Sequence, residues 1–236
     1  MKKTALTLVL LIVAVGVLLL FVSKVKKLAP PAKMPPSTQV LMDELGQADR
    51  DLLQSLFLVS NHSSGTLSTG LLTSDGVIVT DARLAENSRL QDIAVTSSKG
   101  EPVPLRGLDV DRTLDLAFLL PVKRPAGGLE LGGGGDFGPG DQVYAWGFSD
   151  NLVPPAPLLC MGFVAGFRLG PGETARGLST RLVLGGEFAS SYGGAPVFRW
   201  RDNQMVGLLI IRQGAHSAVP EVIPSGALKE RLETVR

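Results

Sequence analysis

Apolar and polar positions change rhythm twice along the 236 residues. From Thr4 to Val22 the chain is almost wholly apolar and carries no charge. As a helix rising about 1.5 Å per residue, that run is long enough to cross the roughly 30 Å hydrocarbon layer of a bilayer. Over residues 38–54 apolar side chains recur instead at steps of three and four. Leu41, Leu45, Ala48, Leu52 and Leu56 share one face, Asp43, Glu44, Asp49, Arg50 and Asp51 lie mostly off it, and Ser37 or Thr38 is placed to cap. This predicts an amphipathic helix whose stripe packs on a folded domain; a partner-binding helix is the sharper alternative.

From residue 55 onward the rhythm becomes short β-rich runs bounded by Gly, Pro, Asp and Ser. Strands are predicted at 56–60, 69–72, 77–80, 93–96, 103–110 and 116–120, and again at 142–147, 158–167, 180–184, 196–198, 205–211 and 218–223. Spacing near ten residues with turn signals between argues for an all-β sandwich or barrel. Six runs, a glycine-rich joint at 132–135 and six more predict two similar halves, over 55–125 and 141–236 with a connection at 126–140. The glycine run lacks the strand-before, helix-after setting of a phosphate loop, so it reads as an interdomain turn. A charged helix, capped near Ser225, closes the chain.

Ahead of the domain, the apolar run 4–22 follows a basic start at 1–3 and precedes a spacer at 23–37 containing Pro30, Pro31, Pro35 and Pro36. A cleaved signal peptide has a shorter apolar core and a small-x-small site, and Ser23 to Lys27 offers none. The run therefore reads as a retained single-pass membrane anchor, with the proline-rich stretch as an extended stalk. Lysines flank both ends, so charge bias barely sets orientation. The short basic N-terminus favours a cytoplasmic start and a domain on the periplasmic or extracytoplasmic side.

Composition narrows the chemistry. Twenty-three basic and 22 acidic residues leave a net charge of +1, which gives no field for nucleic acid. One cysteine, Cys160, excludes an internal disulfide framework and reads as a small core residue in the apolar run 158–163. With two separated histidines, His62 and His216, no metal-ligand set is expected, nor is any cofactor.

Five stretches occur in an order that carries a resemblance. Ser68 to Arg83, containing Thr80-Asp81-Ala82-Arg83, looks like a hairpin ending in T-N-A-H. Thr113 to Leu119 is similar to a D-[LI]-A-x-L strand, Gly140 to Gly147 to G-D-x-V-x-x-x-G, and Ser191 to Val197 to G-N-S-G-G-P-L. Ile223-Pro224-Ser225 is similar to the ending that follows them. Together these resemble the trypsin-like serine peptidases, nearest the disulfide-free Do-type (high-temperature-requirement) bacterial branch, over about 55–235. The resemblance implies two six-stranded β-barrels with a peptide-binding cleft between them.

Carried over position by position, the resemblance puts Arg83 where the general base belongs, Asp115 at the orienting carboxylate and Gly193 at the nucleophile. Guanidinium cannot accept a proton near neutral pH, and glycine has no side chain. An Asp115–Arg83 ion pair is the expected substitute for the catalytic hydrogen bond. A one-residue slip would bring Tyr192 to the nucleophile position, still not a serine. Ser190 or Ser191 with His62 or His216 would need an unusual loop path. The chain thus reads as a pseudoprotease, with a divergent active endopeptidase as the alternative. The candidate cleft comprises Arg83, Asp115, Ser191, Tyr192, Gly193, Gly194, Leu209 and Ile210, the last two and Tyr192 forming an apolar wall. What it implies is a membrane-anchored module binding a peptide or protein partner, or an accessory subunit of a membrane complex. Restoring the pair with Arg83→His and Gly193→Ser is expected to recover weak esterase activity if the oxyanion turn is well formed.

Overall fold

The structure, a computed structural model, describes residues 47–132, 136–169, 180–213 and 217–235. The expected membrane helix, the stalk, residues 38–46 of the lead-in helix and His216 lie outside them. No helix among the described residues is long and apolar enough to cross a membrane.

The described chain starts with α1 (Gln47–Gln54), which buries Leu52 and Leu53 and stops where Ser55 turns its N–H and hydroxyl back onto the Asp51 carbonyl. Six strands follow: β1 (Leu56–Asn61), β2 (Thr66–Leu72), β3 (Ile78–Asp81), β4 (Ile93–Ser97), β5 (Leu105–Asp111) and β6 (Leu116–Pro121). They form an antiparallel sheet in the order β4-β1-β2-β3-β6-β5. The Val103 N–H donates to the Val95 carbonyl, so the lead into β5 bonds β4 and curls the sheet towards closure. The second set is β7 (Gln142–Ser149), β8 (Ala156–Leu169), β9 (Thr180–Gly185), β10 (Pro196–Arg199), β11 (Met205–Gln213) and β12 (Ala218–Pro224). It closes into a barrel in the order β10-β11-β12-β9-β8-β7. All twelve predicted strands form, most of them a residue or two longer than their apolar runs because pairing extends into the turns.

Two strands show why some runs are apolar throughout instead of alternating. On β11, Leu208 and Ile210 enter a core between the two sheets, while Leu209 and Ile211 enter the core inside the second barrel. On β6, Leu116 and Phe118 face the shared core, and Ala117 and Leu119 the interior of the first sheet. A strand buried on both faces has no solvent side to mark with polar residues. The shared core also takes in Leu53, Trp146, Phe148 and two residues of α2 (Ser225–Leu232), Leu228 and Leu232. Arg231 of α2 clamps Asp109 at 2.6 Å and Asp111 at 2.7 Å, and its guanidinium lies over the Phe118 ring. Ser225 is the first residue of this helix and not its cap; its hydroxyl is buried without a partner and Pro224 precedes it. The two sheets therefore share one hydrophobic interface, and their facing ends set the geometry of the cleft.

Candidate active-site cleft

The end of β3 sets one wall. Asp81 caps the tight turn Ala82–Ala85, its carboxylate accepting from the Arg83 N–H at 2.9 Å. The Arg83 side chain folds back over that cap, Nε to both carboxylate oxygens at 3.1 and 3.0 Å and Nη2 to Oδ2 at 2.9 Å. Oδ2 also accepts the Ile211 N–H at 3.0 Å from the second barrel. Asp81 is buried, so each added donor offsets part of the cost of holding its charge away from water. Arg83 thus pairs with Asp81, not with Asp115 as the sequence led us to expect. A carboxylate two residues away in the same turn needs no loop to be ordered before it can bind.

Asp115 goes elsewhere. It follows the turn in which Asp111 Oδ1 accepts the N–H groups of Thr113 and Leu114, and it sits at φ 58°, a left-handed conformation that Asp tolerates better than most residues. Its carboxylate meets Arg181 Nη1 at 2.8 Å and Arg212 Nη2. Arg181 is fully buried and also donates to the Thr113 carbonyl at 2.6 Å and to Glu221 at 3.4 Å. Glu221, itself buried, takes Arg168 at 2.6 Å. The position that would orient an imidazole in the resembling family instead ties the first sheet to the second through two arginines. Sequence reading missed Asp81, Arg181, Arg212 and Glu221; of these only Asp81 carried a local signal, its closeness to Arg83.

The turn at the opposite wall runs through a 3-10 segment, Ser190–Tyr192, into Gly193 and Gly194. The Gly193 N–H donates to the Ser190 carbonyl at 3.2 Å, so it points into the turn and away from the cleft. Arg83 Nη2 donates to the same carbonyl at 3.3 Å. The Gly193 carbonyl is held by the Thr69 N–H at 2.9 Å and the Ser68 hydroxyl at 2.6 Å. A Cβ at position 193 would lie 2.6 Å from Asp81 Oδ2 and 3.0 Å from Arg83 Nη2. The space a nucleophilic side chain would need is occupied by the Asp81–Arg83 pair, and one donor of an oxyanion pocket is already used. Such a donor is worth about 2.7–4 kcal/mol to a transition state when it is aimed correctly.

The expected esterase rescue changes accordingly. Arg83→His with Gly193→Ser is expected to hydrolyse p-nitrophenyl acetate no faster than the parent chain, because Asp81 Oδ2 still blocks the serine. A burst of nitrophenol from the double variant would show that the turn rearranges freely.

Other candidate residues fall into place by burial. The Ser191 hydroxyl is buried and donates to Asp150 at 3.1 Å, while Ser190 is exposed. Tyr192 is a core residue of the second barrel, and burial, with the charges at Cys160 and Asp150, pushes its phenol up to about 12. Leu209 is equally a core side chain and, like Tyr192, does not line the cleft, whereas Ile210 packs between the sheets and also borders the cavity beside Arg83 and Asp115, so of the expected apolar wall only Ile210 reaches it. His62 sits exposed in the β1–β2 turn with no side-chain bond to the cleft residues. Burial and the Glu187 charge push the Cys160 thiol up, which keeps it protonated; it donates to the Glu187 carbonyl at 2.8 Å. What remains open is a depression of mixed polarity around Arg83, Glu86 and Asp115, made of two adjoining cavities of about 230 and 450 Å³.

Comparison with known proteins agrees with this fold. The MamO protease domain of Magnetospirillum magneticum superposes with a TM-score of 0.60 at 16% identity, covering 78% of this chain and 98% of that one. The active form of the Rv3671c protease of M. tuberculosis gives 0.63 at 16% identity, covering 87% and 90%. A serine endoprotease of Yersinia pestis gives 0.61 at 19% identity, covering 80% and 65%. No curated protein is similar enough in sequence to match. The profile of the trypsin-like peptidase domain, however, matches residues 57–208, from the start of β1 into β11. With that match spanning both sheets and well over half its length, the chain belongs to the trypsin-like peptidase family.

Proposed function

We propose that this chain is a catalytically silent trypsin-like peptidase, tethered to a membrane by residues 4–22, which binds an extended peptide or a protein partner outside the cytoplasm. The observation that carries the reading is the Asp81–Arg83 pair standing over Gly193, with the Gly193 N–H turned to the Ser190 carbonyl. Triad chemistry needs a proton acceptor, an attacking oxygen and an aimed amide pair together, and members of such a unit lose nearly all their value singly. Peptide capture by strand addition needs none of them. The cleft keeps Arg83, Glu86 and Asp115 alongside Ile210 and Ile211, which suits a peptide ligand carrying both polar and apolar groups.

Two probes test this on the full chain. A fluorophosphonate is expected to label no serine, Ser190 and Ser191 included. Fluorescein-labelled unfolded casein is expected to show raised anisotropy without cleavage. Cleavage lost in Ser190→Ala or Ser191→Ala would establish a divergent endopeptidase instead. Neither binding nor cleavage would overturn the binding reading.

A further inference from the structure

Ion pairing in the cleft leaves one charge of each sign unused. The two adjoining cavities are lined by Arg83, Arg112 and Arg212 and by Asp81, Glu86 and Asp115. Four of these six pair off, Arg83 with Asp81 at 2.9 Å and Arg212 with Asp115. The two left over, Arg112 and Glu86, both line the larger cavity, of about 450 Å³. Both are exposed, and neither side chain has a hydrogen bond or ion pair among the described residues. The acids close to Arg112 in the chain are committed elsewhere. Asp109 and Asp111 hold Arg231 at 2.6 and 2.7 Å, and Asp115 also takes Arg181 at 2.8 Å. Arg83, which precedes Glu86 in the turn after β3, is folded onto Asp81. Local pairing thus leaves one guanidinium and one carboxylate on the same cavity, and they do not pair with each other.

We propose that this cavity selects peptide segments bearing an acidic and a basic side chain two residues apart, the acid drawn to Arg112 and the base to Glu86. Such selection rests on the peptide-binding reading above and adds what the peptide must carry. A ligand of one sign gains at one of the two residues and loses at the other, because unlike spare charges share one cavity. A ligand with both signs gains at both, and complementarity of this kind sets specificity and register more than raw affinity. An extended peptide carries residues i and i+2 on the same face, about 7 Å apart, the closest spacing at which one face shows two charges. Leu108 and Val110 of β5, which also line the cavity, give the aliphatic stem of a lysine or arginine an apolar surface while its head stays in water. The Asp81–Arg83 pair keeps a role here as well. By neutralising Arg83 it removes the second cation that would otherwise make this cavity a plain anion site. The backbone direction of the bound peptide then decides whether acid or base comes first.

Fluorescence anisotropy on the full chain tests the assignment with five fluorescein-labelled alanine heptapeptides. Their central triplets are Glu-Ala-Lys, Lys-Ala-Glu, Glu-Ala-Glu, Lys-Ala-Lys and Gln-Ala-Gln. One of the two mixed orders is expected to bind about tenfold more tightly than the neutral peptide and than the reverse order, and the single-sign peptides no more tightly than the neutral one. In Arg112→Glu/Glu86→Arg the preference is expected to pass to the other mixed order. Arg112→Gln and Glu86→Gln change exposed side chains singly and are expected to remove the preference while the far-UV circular dichroism stays parental, which decides the matter if the double variant does not fold. Mixed and neutral peptides binding alike, with unfolded casein still bound, overturns the charge selection and leaves the peptide-binding reading standing. Tightest binding by a single-sign peptide, two mixed orders that bind alike, or a preference unmoved by the charge swap overturns it equally. Loss of casein together with every peptide overturns both readings.

Discussion

Arg181→Ala is expected to lower folding stability by about 3–5 kcal/mol, read as a large fall in the urea midpoint with an unchanged slope. Arg181 is fully buried and its guanidinium is the only described group that touches Asp115, Glu221 and the Thr113 carbonyl together. Removing it leaves Glu221 buried with the longer Arg212 contact and Arg168, and leaves a backbone carbonyl without its donor. The cost comes from the cavity a fully buried arginine leaves and from the orphaned Thr113 carbonyl, whose desolvation has already occurred. Arg168 offers the contrast. Its side chain is half-exposed and leaves no buried cavity, so Arg168→Ala is expected to cost clearly less than Arg181→Ala although it removes a 2.6 Å contact of Glu221. Equal losses in the two variants would show that the network acts as a diffuse cluster without a buried keystone. Because Arg181 lies on β9 and Asp115 opens β6, a loss at Arg181 should also loosen one sheet against the other.

The same network shows where reading residues in order stops being enough. Strands were legible because burial on one or two faces writes itself into consecutive residues. The near-continuous runs 205–211 and 116–120 were read as strands, and the structure packs both of them on each side. The motifs named Arg83, Asp115 and Gly193; the structure sets Arg83 beside Gly193 and has Asp115 border the same cavity as Arg83. The motifs did not name their partners. Asp115 chooses Arg181 and Arg212, which are 66 and 97 residues away, and nothing in the local pattern distinguishes those arginines from Arg168 or Arg112. Ion-pair choice depends on which ends the two sheets bring together, a property of packing and not of periodicity. Asp81 is the instructive exception, because two residues in one turn decide their own pairing. Tyr192 and Leu209 failed as pocket residues for a related reason, while Ile210 does border the cavity. An apolar side chain near a site reads the same whether it lines a cavity or fills a core, and here Tyr192 and Leu209 fill the core of the second barrel.

Gly194→Ala is expected to be the most damaging small substitution in the described structure, with a loss of at least about 3 kcal/mol and little soluble folded protein. Gly194 sits at φ 87°, where any Cβ is strained, and the added carbon would fall inside van der Waals contact of the Thr69 carbonyl oxygen and 2.8 Å from the Thr80 Cα. Neither neighbour is a flexible side-chain end. Both belong to the backbone of the first sheet, so the clash can relax only by moving the two sheets apart at the point where the Thr69 N–H and the Ser68 hydroxyl grip the Gly193 carbonyl. The Gly194 N–H is simultaneously bonded to the Leu209 carbonyl at 2.6 Å, which holds the turn against β11. Gly226→Ala is the matched control. It lies in α2 with no atom near its would-be Cβ, and there alanine should stabilise by about 0.5–1 kcal/mol through helix propensity. Thermal unfolding of the pair separates two roles for glycine in this chain. If Gly194→Ala folds with near-parental stability, the close approach of the turn to β2 and β3 is not what joins the two sheets, and the closed geometry over Gly193 loses its structural cause.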